Sequence, residues 1–291
     1  MDASATPVWI DTDCSIGSPL REVDDAFAIA LAFHFPNAQI SGISTTYGNA
    51  SLRATTAATK DLVARLSVEC GISPPVFAGA SSRNDLGVET AATRALADTL
   101  RTRRDLVYVS LGPLTNLATL QILHPDLTAH IRRVVFLGGT SEATLVRLGS
   151  RHAVQIHDAN VIKDPEAVRR VLRTRLSITL IPITTAAPLT LNADDLRRIG
   201  EANGSGNFLR AKSRVWFWFW RNFVGTDGGP IFDAAAILAA VQPAQTPLQK
   251  LSAHLDGRGN LIFSADSARR VFVCEKLAPS AHRVVIENLT R

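Results

Sequence analysis

The chain has 291 residues, 46% of them hydrophobic and 20% charged, with 18 glycines and 14 prolines spread thinly along it. That balance excludes a disordered, collagen-like or coiled-coil polypeptide, and the length suits one large domain or two modest ones. A formal net charge of +5 raises the question of a nucleic-acid partner. However, Arg101, Arg103 and Arg104, and again Arg169, Arg170, Arg173 and Arg175, follow helical spacing with no aromatic rings interleaved to stack on bases, so none is expected. The longest apolar stretches, 26–33 and 234–241, fall far short of the roughly 20 residues a bilayer-spanning helix needs, so no membrane partner is expected either. The start of the chain carries Asp2 where a secretory signal would carry positive charge, which points to a cytoplasmic protein. Cys14, Cys70 and Cys274 are too few and too scattered for a disulfide framework or a metal knuckle.

In chain order, strands are expected at 8–13, 40–45, 75–78, 106–111, 133–137 and 177–183, several apolar throughout, as in strands covered on both faces. Helices are expected between them at 24–35, 51–68, 89–101, 114–123 and 164–174. Strand and helix in alternation imply crossover connections and a mostly parallel open sheet flanked by helices. From about residue 192 the pattern turns helical, at 193–201, 208–223 and 233–241. The tail reads as antiparallel: 251–255 and 261–263 flank Asp256-Gly-Arg-Gly259, a hairpin signal, with two more short strands after them. With no repeat and no dividing linker, a single α/β domain over 1–291 with helical and antiparallel elaborations is the simplest reading.

In an open parallel sheet, ligands bind beyond the carboxyl ends of the strands. The unusual polar residues fall there: Asp11, Asp13, Asp24 and Asp25 after the first strand, Thr46-Tyr-Gly-Asn49 after the second, Leu111-Gly-Pro after the fourth and Gly138-Gly139 after the fifth. Strand alternation sends Asp11 and Asp13 to the same side, where two carboxylates repel unless a cation lies between them. Asp24 or Asp25 could instead serve the free amides of the helix they open, and Asp233 could do the same for the helix at 234–241. Four acids at one strand-to-helix junction nevertheless favour a hard dication with oxygen ligands, Ca²⁺ or Mg²⁺. Asp164, followed by Pro165 and Glu166, reads as a helix cap.

These motifs together resemble the nucleoside hydrolases, which cleave the N-glycosidic bond of ribonucleosides. The resemblance rests on Asp11-Thr-Asp13 with Asp24-Asp25-Ala26, Thr46-Tyr-Gly-Asn49, Leu111-Gly-Pro-Leu-Thr-Asn-Leu-Ala118, Val134-Val-Phe-Leu-Gly-Gly139, Asp158-Ala-Asn160 with Asp164-Pro-Glu-Ala167, and Phe232-Asp233, colinear from residue 8 to about 242. It implies a Rossmann-like fold, a Ca²⁺ held by Asp13, Asp25, Asp233 and the carbonyl of Leu111, and ribose contacts from Asp24, Asn49, Asp158 and Asn160. It further implies that Asp13, with Asn49 beside it, serves a calcium-activated water as base, and that the protein assembles as a homodimer or homotetramer.

Three departures from the pattern stand out. The loop at 14–23 is long; Asp158 stands where the family often has Glu, with His152 or His157 near enough in sequence to compensate; and Phe232 replaces the histidine that precedes the last aspartate in inosine-uridine members. Purine-preferring members stack the base between aromatic rings, and Trp216 and Trp220 share one helical face with Trp218 turned away, so the resemblance points to a purine nucleoside. The same aromatic run could equally pack a core or an interface. Two other readings compete: a Mg²⁺-dependent phosphatase of the haloacid-dehalogenase type using Asp11 and Asp13, and a non-catalytic relative that binds a ribosylated ligand. The first leaves Asp24 and Asp25 unexplained; the second is supported by Phe232 and the long first loop.

Overall fold

The computed structural model describes residues 5–18, 21–139, 146–148, 154–156, 158–257, 259–264 and 270–291. Strand β1 (Thr6–Thr12) is buried from Pro7 onward. Its sequence therefore shows no polar alternation, because both faces of the sheet are covered. The chain continues through α1 (Asp24–His34), β2 (Ala38–Thr45), α2 (Leu52–Cys70), β3 (Val76–Ala78), α3 (Ala91–Thr102), β4 (Leu106–Ser110), α4 (Thr115–Leu123) and β5 (Ile131–Leu137). Then come α5 (Pro165–Arg173), β6 (Ile178–Ile181), α6 (Ala193–Ala202), α7 (Gly204–Phe219) and α8 (Ala234–Val241), and finally β7 (Leu248–Leu255), β8 (Leu261–Ser264), β9 (Arg270–Cys274) and α9 (Ala281–Leu289).

The nine strands form one sheet in the order β8-β7-β9-β6-β5-β4-β1-β2-β3. Every pairing from β9 across to β3 is parallel, and only β7 runs antiparallel, to β8 and to β9. Thus the expected α/β architecture with a short antiparallel elaboration is present. The hairpin forms as expected: Asn260 donates from its N–H to Asp256 Oδ1 at 2.8 Å, and Gly259 takes φ +83°. No helix among the described residues is long and apolar enough to cross a membrane.

The end of the chain differs from expectation. Among the described residues only β9 follows the hairpin, it joins the main sheet parallel to β6, and the last element is a helix. Val284-Val-Ile286 looks like a strand by composition, but Ala281, Val285, Ile286 and Leu289 are the buried set, and that spacing belongs to one helical face. Helix α7 starts earlier than its apolar pattern, because Asn203 accepts from the Gly206 N–H at 2.6 Å and caps it; it then widens into one π-helical turn at Trp220–Val224. A short helix, Ala159–Lys163, was invisible as a separate element in the periodicity.

Two core layers sandwich the sheet. Helices α1 and α8 pack together on one face, with Phe27, Ile29, Leu31, Ile237 and Leu238 fully buried; α3, α4 and α5 cover the other, with Leu96, Leu100, Leu117 and Val168. Each such side chain contributes about 1.5–3 kcal/mol through burial, so the frame that carries the loops is rigid. From β1 the chain moves outward to β2 and β3, then returns to place β4 on β1's other side. The order of strands therefore reverses at β1 and β4, and a crevice opens beyond their carboxyl ends.

Candidate active site

Asp11 and Asp13 both sit at the carboxyl end of β1, buried, but their surroundings differ. Asp11 Oδ1 accepts hydrogen bonds from Ser44 Oγ at 2.5 Å and Asn116 Nδ2 at 2.8 Å, and Trp9 Nε1 holds the serine at 2.9 Å. Neutral donors thus serve Asp11, where the alternation of β1 had suggested a cation between it and Asp13. Its Oδ2 has no well-formed partner, although the Tyr108 hydroxyl is close enough to favour ionisation. Burial prevails and pushes the carboxyl up to about 6. Asn116 in turn accepts from the Ala80 N–H at 2.9 Å, so this network ties β1, β2 and α4 into the floor of the crevice.

Asp13 faces outward from that floor. Its Oδ2 accepts from the Asn49 N–H at 2.7 Å and lies 3.4 Å from Lys163 Nζ, while its Oδ1 is buried without a partner. Gly48 makes this approach possible: a β-carbon there would fall 1.8 Å from Asp13 Oδ2, and its φ of +155° is one that side-chain-bearing residues rarely adopt. The Thr46-Tyr-Gly-Asn49 stretch is thereby explained as the wall that grips Asp13.

Asp24 and Asp25 open α1, yet neither caps it: the cap position is Val23, and no side chain bonds the free amides there. Asp233 precedes α8 and also makes no capping bond. The capping alternative therefore fails for all three, whereas Asp164 does cap, accepting from the Ala167 N–H at 2.9 Å. Asp25 accepts from Thr12 Oγ1 and, at 3.3 Å, from Asn49 Nδ2. Carboxylate oxygens of Asp24, Asp25 and Asp233 lie within 4.8 Å of one another. Burial holds all three well above the usual carboxylate range, and the neighbouring acids, Asp13 among them, push further. Buried oxygens Asp13 Oδ1, Asp24 Oδ1 and Asp233 Oδ1 have no hydrogen-bond partner. The three clustered carboxylates, two of them with an orphaned oxygen, fit a hard divalent cation; Asp13, expected among its ligands, stands outside that 4.8 Å group, with its orphaned Oδ1 near enough for its charge to raise all three. A cavity of about 40 Å³ lined by Asp24, Asp233, Asn49, Leu111 and Asn160 offers the room.

The remaining expected residues are placed as follows. Leu111 lines the cavity and its carbonyl accepts from Asn160 Nδ2 at 2.8 Å, and the same amide reaches the Leu137 carbonyl at 3.0 Å. Asp158 Oδ1 accepts from the Val161 N–H at 3.1 Å and caps the Ala159–Lys163 helix, while its Oδ2 accepts from the Gly139 N–H beyond the end of β5, so both oxygens are engaged. Burial pushes its carboxyl up to about 6, with those backbone bonds opposing. His152 and His157 lie outside the described residues. Phe232 lines the cavity. Trp220 is fully buried behind it, with ring centroids 6.1 Å apart, and Trp216 packs on Trp220 at 5.5 Å while donating from Nε1 to the Pro230 carbonyl at 3.2 Å. Trp218 points outward, 56% exposed, as the helical spacing requires. The two tryptophans thus form a layer behind Phe232 and do not line the cavity itself.

Sequence reasoning missed two residues. Glu22, from the long first loop, lines the same cavity beside Asp24. Burial and Asp13 push its carboxyl up, and Lys163 pulls it back. Lys163 reaches Asn49 Oδ1 at 3.2 Å as well as Asp13. An acid two residues before Asp24 and a lysine next to the capping Asp164 were the available signals, but a charge beside a helix end is usually a solvated one.

Comparison with known proteins adds three findings. Residues 8–285 match the family model described as inosine-uridine preferring nucleoside hydrolase. The non-specific ribonucleoside hydrolase RihC of Escherichia fergusonii is 29% identical over 259 residues, covering 81% of this chain and 79% of that protein; RihC of Klebsiella pneumoniae is 27% identical over 275 residues, covering 87% and 84%. Among solved structures, a plant nucleoside hydrolase shares the fold with a TM-score of 0.82 at 22% identity over 98% of this chain and 99% of that one. A purine-preferring ribonucleoside hydrolase from Gardnerella vaginalis does so at 0.79 and 20% over 98% of each.

Proposed function

Since the chain belongs to the inosine-uridine preferring nucleoside hydrolase family, we propose that it is a calcium-dependent nucleoside N-ribohydrolase, releasing the free base and ribose from ribonucleosides, with purine nucleosides preferred. One observation carries this reading: Asp24 and Asp25, more than 200 residues from Asp233 in sequence, meet it within 4.8 Å, with unpartnered oxygens on Asp24, Asp233 and the neighbouring Asp13, which is close enough to raise all three carboxyls. Asp13, Asp25, Asp233 and the Leu111 carbonyl would hold the ion, which when bound supplies a Lewis acid that lowers the pKa of water and grips a vicinal diol.

The chain's own groups do the rest. Asp13 takes the proton of the attacking water, and burial, by raising its affinity for a proton, suits it to that task. Asn49 holds the other oxygen still through its backbone N–H. Water adds to the anomeric carbon as the bond to the base breaks, the base leaving with the bonding electron pair and taking its proton from solvent, so no covalent sugar intermediate is needed. Asp24, Asn49 and Asn160 border the cavity where the sugar hydroxyls bind, and fixed carboxylates there stabilise the positive charge that develops on the ring. Asp158 contributes by fixing the Ala159–Lys163 helix and hence Asn160. Phe232 has no proton to give, so the leaving base is held by an apolar ring backed by Trp220 and Trp216, which favours the larger purine face. The proposal extends to a cytoplasmic homodimer or homotetramer, checked by light scattering on the eluting protein.

The deciding experiment is a panel of purine and pyrimidine ribosides assayed for reducing sugar, with and without a chelator, including a 2′-deoxy control. Ribose release that is lost on chelation and absent from the deoxy substrate is expected. Saturable binding with no ribose formed over hours would select a non-catalytic relative instead.

A further inference from the structure

Lys163 is the last residue of the short helix Ala159–Lys163, whose backbone is fixed at both ends: Asp158 caps the start at 3.1 Å, and the Tyr47 hydroxyl donates to the Lys163 carbonyl at 3.3 Å. From that anchored position the side chain, 23% exposed, reaches over Asp13, which is 1% exposed. Its ammonium meets Asp13 Oδ2 at 3.4 Å and Asn49 Oδ1 at 3.2 Å. This differs from an ordinary surface ion pair, which contributes little, because its acid is buried and its charge acts on Asp24, Asp25, Asp233 and Glu22. The ammonium takes the oxygen of Asp13 that the Asn49 N–H also takes, leaving Oδ1 buried and unpaired beside Gly112. A lysine and a divalent ion can therefore share Asp13 through different oxygens, and each feels the other's charge.

We propose that Lys163 is the resident counter-cation of the acidic site, steadying the cluster when no metal is bound and weakening its hold on a divalent ion when one is. The proposal rests on the metal-dependent reading above. In the metal-free chain, Lys163 offsets part of the repulsion among five carboxyl groups and so stabilises the fold. In the loaded chain it stands as a positive charge beside a dication, which lowers the affinity while keeping Asp13 and Asn49 in register.

The test uses the full chain and Ca²⁺ itself, with calorimetry for the dissociation constant and Tb³⁺ luminescence as a second probe. Lys163→Met keeps the length of the side chain and removes its charge; Lys163→Arg keeps the charge. Lys163→Met is expected to bind Ca²⁺ more tightly by roughly tenfold, the scale of one unit charge repelling a dication across a partly hydrated gap, and to melt at lower temperature than the wild type in chelator. Lys163→Arg should stay within about twofold of the wild-type constant, since the charge is retained. A Lys163→Met protein that folds only with Ca²⁺ supports the proposal. If it folds in neither condition, the shorter neutral Lys163→Gln carries the same comparison. An unchanged or weaker constant in the neutral variant overturns the counter-cation role alone, whereas a wild-type chain that takes up neither Ca²⁺ nor Tb³⁺ overturns the metal reading as well.

Discussion

The acidic junction at 11–25 and the aromatic stretch at 216–232 were the two most conspicuous features of the sequence, and the fold treats them differently. Buried carboxylates cannot be absorbed by packing: Asp11 is served by Ser44 and Asn116, Asp13 by the Asn49 N–H and Lys163, and Asp24 and Asp25 gather with Asp233 beside one small cavity. Aromatic rings pack anywhere. Trp220 disappears into the core, Trp216 braces it, Trp218 faces outward, and only Phe232 lines the cavity. A buried charge must find a partner or a cation, at a cost of several kcal/mol otherwise, so it marks function far more sharply than a ring whose burial is favourable in either role.

The largest expected effect breaks the acidic side of that contrast. Asp13→Ala should lower kcat/KM at least a thousandfold, about 4 kcal/mol of transition-state stabilisation, and weaken Ca²⁺ binding with it. Wild-type rates in that variant would remove Asp13 from the chemistry. On the aromatic side, Trp220→Ala leaves a hole behind Phe232 and should cost about 3 kcal/mol or more in stability by denaturant unfolding. A stability loss with KM for inosine unchanged would assign Trp220 to the core, while a KM rise at unchanged stability would assign it to the base.

A smaller effect concerns pH. Asp11 and Asp158 carry carboxyls pushed from an ordinary 3.8 up to about 6 by burial. The folded chain therefore holds protons through that window which the unfolded chain has released, and stability falls as pH rises from 3.8 to about 6 and levels off above. Chelated protein should accordingly be more stable at pH 5 than at pH 7, by about 1–3 kcal/mol. Saturating Ca²⁺ should reverse the trend, because binding requires the ligand carboxyls deprotonated. Chelated protein that loses stability on acidification over this range would contradict the burial argument. Least of all, Trp218→Ala, at an exposed position, should change stability by no more than about 0.5 kcal/mol and leave kinetics alone.

Much of the fold was legible in the chain because its signals are local. Apolar runs in β1, β4 and β5 announce strands covered on both sides, Gly259 and Asp256 announce the hairpin, and Pro165 with Asp164 announces a helix start. The site was legible in residue type and order, since Asp13, Asp25, Asn49 and Asp233 each stand beside a strand end or a helix start. Where local signals compete, reading fails: Val284-Val-Ile286 favours a strand in isolation, and only the neighbouring core selects the helical face of α9.

Composition, periodicity and the ordered motifs were enough to determine the class of fold, the family and which acids are unusual, because hydrophobic pattern and turn chemistry act over a few residues. Only the folded chain decided how those acids divide. It sent Asp11 to the floor, committed Asp158 to a helix cap, drew Lys163 across to Asp13 over 150 positions of sequence, and buried Trp220 behind Phe232. Electrostatics in a desolvated crevice depends on distances between elements that meet only after the sheet has closed around them, and no local pattern encodes those distances.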